Sequence, residues 1–323
     1  DTIDEVWGSL AVRGVDRHDS ETWESWPWGS KVGMLGSEPM VLPSMCRNRE
    51  SPVIHRLFAM LHGDDDLRVS IARAGVMRPT KNIRRGGELC EDVPEFRVIP
   101  NWVHLDMNPW TFRSTTAFYQ SVSMEPDAPS QPIEDFGEPY HTLRTQGILN
   151  LLDHAEEDGG FHCVPGFHKF IRDWAVANEH LRVKNTMPNV YDESTVQIPK
   201  DDPVRNAVQR IPMRAGSFLV FNSALPHGAF PNQSERFRMV QYIRMVPRAD
   251  PAFQPALIAS QSVFKVRASD LPPAYEPSEL GRRLLELDDA LAFEREEAQR
   301  EQARGEAAGP EGAAEVPRRC TVS

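Results

Sequence analysis

The second half of the chain is built from short apolar runs, each stopped by turn residues. Gln146-Gly147-Ile148-Leu149-Asn150-Leu151-Leu152 is one; a short run before Pro165-Gly166 is another, and further runs fall at 207–213, 217–222 and 237–246. Many short strands with turn punctuation predict a mainly β architecture, an antiparallel barrel or sandwich with flanking helices. With 323 residues, of which 40% are hydrophobic and 26% charged, the chain can bury one large core or at most two.

Helical patterns flank these strands. Ser51-Pro52 opens one, with Val53, Ile54, Leu57, Phe58, Met60 and Leu61 expected on one side and Gly63 as its stop. Residues 170–183, around Trp174, predict a second. From Pro277 a third carries Leu280, Leu284, Leu285, Leu287, Leu291 and Phe293. The first fifty residues hold Trp7, Trp23, Trp26 and Trp28 among glycines and prolines, and read as an irregular arm or lid packed over the core. Leu67, Val69 and Ile71 alternate with Arg68, Ser70 and Ala72, a strand with one buried face. Arg73 falls on that same side, either snorkelling to water or facing a site. Residues 78–95 (Lys81, Arg84, Arg85, Gly86, Gly87) read as a mobile basic loop, and 107–140 as a long polar one, of a length that is uncommon unless the loop carries function or is disordered.

Within Asn101-Trp102-Val103-His104-Leu105-Asp106, His104 and Asp106 stand two positions apart, so in extended chain both leave the same face. An imidazole and a carboxylate are two thirds of a facial metal site. The third ligand is expected at Pro226-His227-Gly228, where the apolar strand 217–222 ends. Eleven residues later Arg238 opens a strand whose Arg238, Val240 and Tyr242 share a face. If the two strands pair, Arg238 lies beside His227, and an arginine fork there can grip a carboxylate.

Taken together, His104-x-Asp106, then Asp158-Gly159-Gly160-Phe161-His162-Cys163-Val164-Pro165-Gly166-Phe167-His168-Lys169, then Pro226-His227-Gly228 with Arg238, resemble the phytanoyl-CoA dioxygenase-like family. The resemblance spans roughly residues 50 to 247. It implies a double-stranded β-helix (jelly roll, cupin-like) and an oxygenase using Fe(II), 2-oxoglutarate and O2 to hydroxylate a C–H bond of a small molecule, with succinate and CO2 as co-products. It assigns the iron to His104, Asp106 and His227, and the distal carboxylate of 2-oxoglutarate to Arg238. Gln146 and Tyr242 are weaker cosubstrate candidates, and Arg73 and Arg84 weaker substrate candidates. Many members carry a hydroxyl residue two positions after the distal histidine; this chain has Ala229, so Thr142, Thr145, Tyr242 or a water would have to help Arg238. A non-catalytic or zinc-binding protein of the same fold is the alternative.

His162 and His168 flank the Pro-Gly corner and read as structural more readily than as site residues; His141 and His154 read as loop residues, and Arg236 and Arg244 as surface or ion-pairing ones. A formal charge of −11 argues against nucleic acid as a partner and leaves a small molecule, anionic if the basic loop receives it. The four cysteines (Cys46, Cys90, Cys163, Cys320) are scattered, which suits free thiols in a reducing compartment. There is no apolar run long enough for a transmembrane segment and no signal-peptide pattern, so the cytoplasm is the expected location. Cys320-Thr321-Val322-Ser323 matches a C-a-a-X box, so a farnesyl anchor stands against plain coincidence. The expected organisation is an arm over 1–50, an oxygenase domain over 51–275, a helix over 276–299 and a disordered tail over 300–323.

Overall fold

The computed structural model describes residues 1–27, 30–35, 40–100, 102–106, 109, 145–182, 195–249 and 268–288. Trp28, Thr142, His141, Leu291, Phe293, Cys320, the tail and nearly all of the 107–140 stretch lie outside these described residues. The strands are β1 Leu67–Val69, β2 Ala74–Met77, β3 Lys81–Arg85, β4 Glu88–Asp92, β5 His104–Leu105, β6 Thr145–Asn150, β7 Gly160–Cys163, β8 Val196–Gln197, β9 Gln209–Arg210, β10 Phe218–Asn222, β11 His227–Phe230, β12 Arg238–Ile243 and β13 Met245–Pro247. The helices are α1 Thr2–Ala11, α2 Pro43–Arg49, α3 Pro52–His62, α4 Ile171–Ala177 and α5 Glu279–Leu284.

Two antiparallel sheets carry the architecture. The first has the order β10-β6-β12-β2 and the second β8-β5-β11-β7-β9. They pack face to face. Phe161 of β7 meets Phe221 of β10 with ring centroids 4.6 Å apart, and Ile148, Cys163 and Val240 complete that cluster. The fold is mostly sheet, with helices outside it. β1 and β13 pair in a separate two-stranded ladder.

Alternation along each strand fixes what lies on the outside. On the outer side of the first sheet, Ala74, Val76 and Met239 pack with Val6, Trp7, Leu10 and Trp23. Beside them Ile243 and Met245 pack with Cys46, Ile54, Phe58, Leu284 and Leu285. The N-terminal stretch is therefore not irregular chain: it supplies α1 and α2 to a helical layer that α3 and α5 complete. Asp1 caps α1 through a capping box, with its carboxylate accepting from the Ile3 and Asp4 amides. The outer side of the second sheet is covered by α4, whose Ile171, Trp174 and Ala175 pack on Val103, Leu105, Val196 and Ile198.

Three elements differ from the sequence expectation. The buried face of α3 is Ile54, Phe58 and His62, whereas Val53 and Met60 are 79% and 73% exposed. Six apolar residues ring that helix, so composition alone did not single out the stripe. Arg68 and Ser70 are buried as fully as their apolar neighbours, because β1 is covered on both faces. Residues 81–92 form a hairpin rather than a loop. β3 and β4 turn at Gly86-Gly87, both at positive φ, and the Glu21 carboxylate accepts from both glycine amides. Among the described residues Cys46, Cys90 and Cys163 are free thiols, as expected. No described helix is long and apolar enough to cross a membrane.

Candidate metal centre and anion cradle

His104 opens β5 and His227 opens β11, and the two residues are direct partners in the antiparallel ladder of the second sheet. His227 thus begins a new strand in the opposite sheet rather than ending β10. Asp106 follows β5 by one residue. His104 Nε2 lies 3.3 Å from Asp106 Oδ1, and His227 Nε2 lies 3.2 Å from Asp106 Oδ2. One ligand atom from each residue falls within 4.8 Å of the others, and this is the one such cluster among the described residues.

The backbone sets which nitrogen faces inward. His104 Nδ1 is 3.2 Å from the Trp102 carbonyl and His227 Nδ1 is 2.9 Å from the Leu225 carbonyl. A carbonyl only accepts, so each Nδ1 carries a proton, and each Nε2 is the nitrogen turned towards Asp106. Burial alone would raise the Asp106 pKa, but His227 and His104, by charge and hydrogen bonding, hold it well below the usual carboxylate range. Two imidazoles that turn Nε2 inward and one carboxylate form a donor set suited to a divalent cation with open positions. The Trp102 ring stacks on His104 at 4.4 Å between centroids, and Phe161 and Phe221 lie 5.9 and 4.7 Å from the His227 ring.

Gln146, expected beside the cosubstrate, reaches across from β6 of the first sheet. Its Nε2 donates to Asp106 Oδ2 at 2.9 Å and to Ser223 Oγ at 3.2 Å. Arg238 also comes from the first sheet. It opens β12, which pairs with β2 and β6, whereas β11 pairs with β5 and β7. His227 and Arg238 are therefore not on neighbouring strands; the arginine faces the triad's sheet from the opposite wall. It is 1% exposed, and its Nε and Nη1 have no hydrogen-bond partner. Burial lowers its pKa, and Tyr242 on the same face of β12 partly offsets this by charge and a hydrogen bond.

The remaining candidates lie elsewhere. Arg73 sits half-buried between β1 and β2, its carbonyl accepting from the Tyr242 amide at 3.3 Å. Arg84 is exposed on the hairpin and pairs with Leu89, while Lys81 is ion-paired with Asp92, and Arg85 with Glu24 and Glu95. His162 is 1% exposed, packed against Phe230, and burial, then His227 and His104, push its pKa down to about 3. Arg236 is an ion-pair residue, held by Asp158 and Glu157 at 2.8 Å each. Sequence reasoning missed Ser223 and the stacking of Trp102, and took His154 for an ordinary loop residue although it is 6% exposed. The two orienting carbonyls had a signal, since each lies two residues before its histidine.

Two facing antiparallel sheets with this two-histidine, one-carboxylate cluster between them define a mainly β protein with a candidate metal site. The phytanoyl-CoA dioxygenase family profile matches residues 115–240, a span that includes His227 and Arg238 and starts after His104 and Asp106. A Dictyostelium discoideum protein bearing the phytanoyl-CoA dioxygenase name is 30% identical over 267 residues, which is 76% of this chain and 68% of that protein. The chain belongs to the phytanoyl-CoA dioxygenase family of oxygenases, whose cofactors are Fe(II), 2-oxoglutarate and O2. Among solved structures it is similar to the epimerase SnoN in complex with Fe3+, alpha ketoglutarate and nogalamycin RO. The identity is 15% and the TM-score 0.38, over 72% of this chain and 69% of SnoN. It is also similar to the GlcNAc-inducible gene 2 product of Candida albicans, at 13% identity and TM-score 0.45 over 75% of this chain; the chain spans only 58% of that protein's length.

Proposed function

We propose that this protein hydroxylates a C–H bond of a small molecule, with 2-oxoglutarate as cosubstrate. The observation that carries the reading is the convergence of His104 Nε2, His227 Nε2 and an ionised Asp106 opposite a buried Arg238 with unpartnered donors. These residues fit the family's cofactors: two imidazole lone pairs and one carboxylate suit Fe(II), and a desolvated guanidinium suits a carboxylate. When bound, iron, 2-oxoglutarate and O2 supply the oxidation, in which 2-oxoglutarate goes to succinate and CO2 and a substrate hydrogen is replaced by hydroxyl.

The chain's own residues hold this chemistry in place. The Trp102 and Leu225 carbonyls fix the imidazole planes, and Gln146 fixes the Asp106 carboxylate by donating to Oδ2. Phe161 and Phe221 keep water from the His227 side. Arg238 sets the orientation of the 2-oxo acid by pairing with its far end. An anionic substrate is the finer reading, with Arg84 as the hairpin cation turned to solvent and Lys81 and Arg85 engaged in ion pairs. Farnesylation at Cys320 and a reducing, cytoplasmic location belong to the same proposal, and mass spectrometry of natively expressed protein tests the former.

The test of the main reading is anaerobic reconstitution with Fe(II) and 2-oxoglutarate, followed by admission of air. A metal-to-ligand charge-transfer band and succinate are expected for the wild type, and neither for His227→Ala. Tight zinc binding with no such band would refute an oxygenase and leave a zinc protein of the same fold.

A further inference from the structure

His154 forms an antiparallel bridge with Met213 just beyond β6, yet it is 6% exposed and neither of its ring nitrogens has a hydrogen-bond partner. The backbone of Ile211 is close to it but outside bonding geometry. Its own backbone is fixed: the His154 amide donates to the Met213 carbonyl at 3.3 Å, and the next amide, of Ala155, donates to Asp158 Oδ2 at 2.6 Å. Burial and then the nearby Arg238 charge lower its pKa, so the ring is neutral and keeps one N–H donor.

The ring and Arg238 both pack against Gly160. Gly160 has φ +113°, and a Cβ built there would lie 2.9 Å from His154 Nε2 and 3.4 Å from Arg238 Nε. With hydrogen in place of that Cβ, two buried, unpartnered nitrogens, His154 Nε2 and Arg238 Nε, approach Gly160 from the same side. Buried polar groups without partners are rare and costly, and two of them beside one glycine point to an acceptor that completes them. The family's usual hydroxyl is absent, since Ala229 stands across from Phe161 and has nothing to donate.

We propose that His154 is the second donor to the distal carboxylate of the 2-oxo acid, beside Arg238, in place of the hydroxyl that Ala229 lacks. This rests on the reading of the site as a 2-oxoglutarate site. Gly160, with no Cβ, lets both donors approach from the same side. The test measures dissociation constants of 2-oxoglutarate and of 2-oxopentanoate, which has the same length without the distal carboxylate, on the anaerobic Fe(II)-loaded full chain. For His154→Ala we expect roughly tenfold weaker 2-oxoglutarate binding or more, the fold-change of a lost hydrogen bond to a charged group, with 2-oxopentanoate unchanged. His154→Gln, which retains a donor, should recover part of the loss. Unchanged 2-oxoglutarate binding in His154→Ala would overturn the proposal, and so would an equal loss for both acids, which marks a merely structural role. Wild type that binds neither acid would overturn the 2-oxoglutarate reading itself, and this assignment with it.

Discussion

Replacing Gln146 with leucine removes one side-chain amide and leaves a side chain of similar size on β6. The amide's partner is a metal-ligand carboxylate, 2.9 Å away and partly shielded from water, so the lost bond is of the kind worth about 1.5–3 kcal/mol. Ser223 loses its Gln146 donor at the same time, but its hydroxyl can rotate to another partner. The cost should therefore fall on the orientation of Asp106. It should appear as metal affinity weakened by roughly 10- to 100-fold, the usual range for a group that positions a ligand. Calorimetric titration of Gln146→Leu with Co(II) against wild type, with circular dichroism to establish a native fold, measures it. A native-like variant with wild-type metal affinity and a raised KM for 2-oxoglutarate would refute the reasoning, because the amide would then be serving the cosubstrate.

Other perturbations follow from the same contacts. Arg238→Met should weaken 2-oxoglutarate by more than His154→Ala does, since it removes the charge as well as the donors, while Co(II) affinity stays at the wild-type value. Metal-free protein should lose stability as pH falls from 6.5 towards 3, because His162 protonates in the unfolded chain but stays neutral when folded. The loss is up to about 1.4 kcal/mol per pH unit, and His162→Leu should flatten this limb of a urea-denaturation series; equal slopes would count against it. Gly147→Ala should cost about 1–3 kcal/mol in denaturant melts, since its new methyl would press on the Phe218 ring and the Ile243 carbonyl. Chelator should lower the melting temperature of metal-loaded wild type and leave that of Asp106→Ala unmoved.

The two metal-facing motifs were legible because period-two geometry needs no tertiary knowledge: His104 and Asp106 project together in any extended chain. What could not be read was which sheet each strand joins. Arg238 follows His227 closely in sequence, and pairing of adjacent strands was the natural expectation. In a sandwich, however, the chain passes from one sheet to the other between β11 and β12, so the arginine arrives from the opposite wall. Ala74–Met77 escaped notice as a strand because all four residues are buried, which erases the alternation that marks a half-exposed strand. The hairpin at 81–92 was hidden by its charges, which pair with one another and with Glu24 and Glu95 instead of signalling a pocket. His154 looked like a loop residue because its burial depends on Gly160 and Arg238, which the fold brings to it.

The position of β12 also bears on how the chain is made. It is among the last strands to be synthesised, yet it fills the centre of its sheet, hydrogen-bonded to β2 on one side and β6 on the other. Until residues 238–243 emerge from the ribosome, β2 and β6 each present an open strand edge with nothing to satisfy it. Nascent chains stalled before that point should be the ones that stick to each other and recruit chaperones, and pairing between residues so far apart in sequence makes the closing step slow.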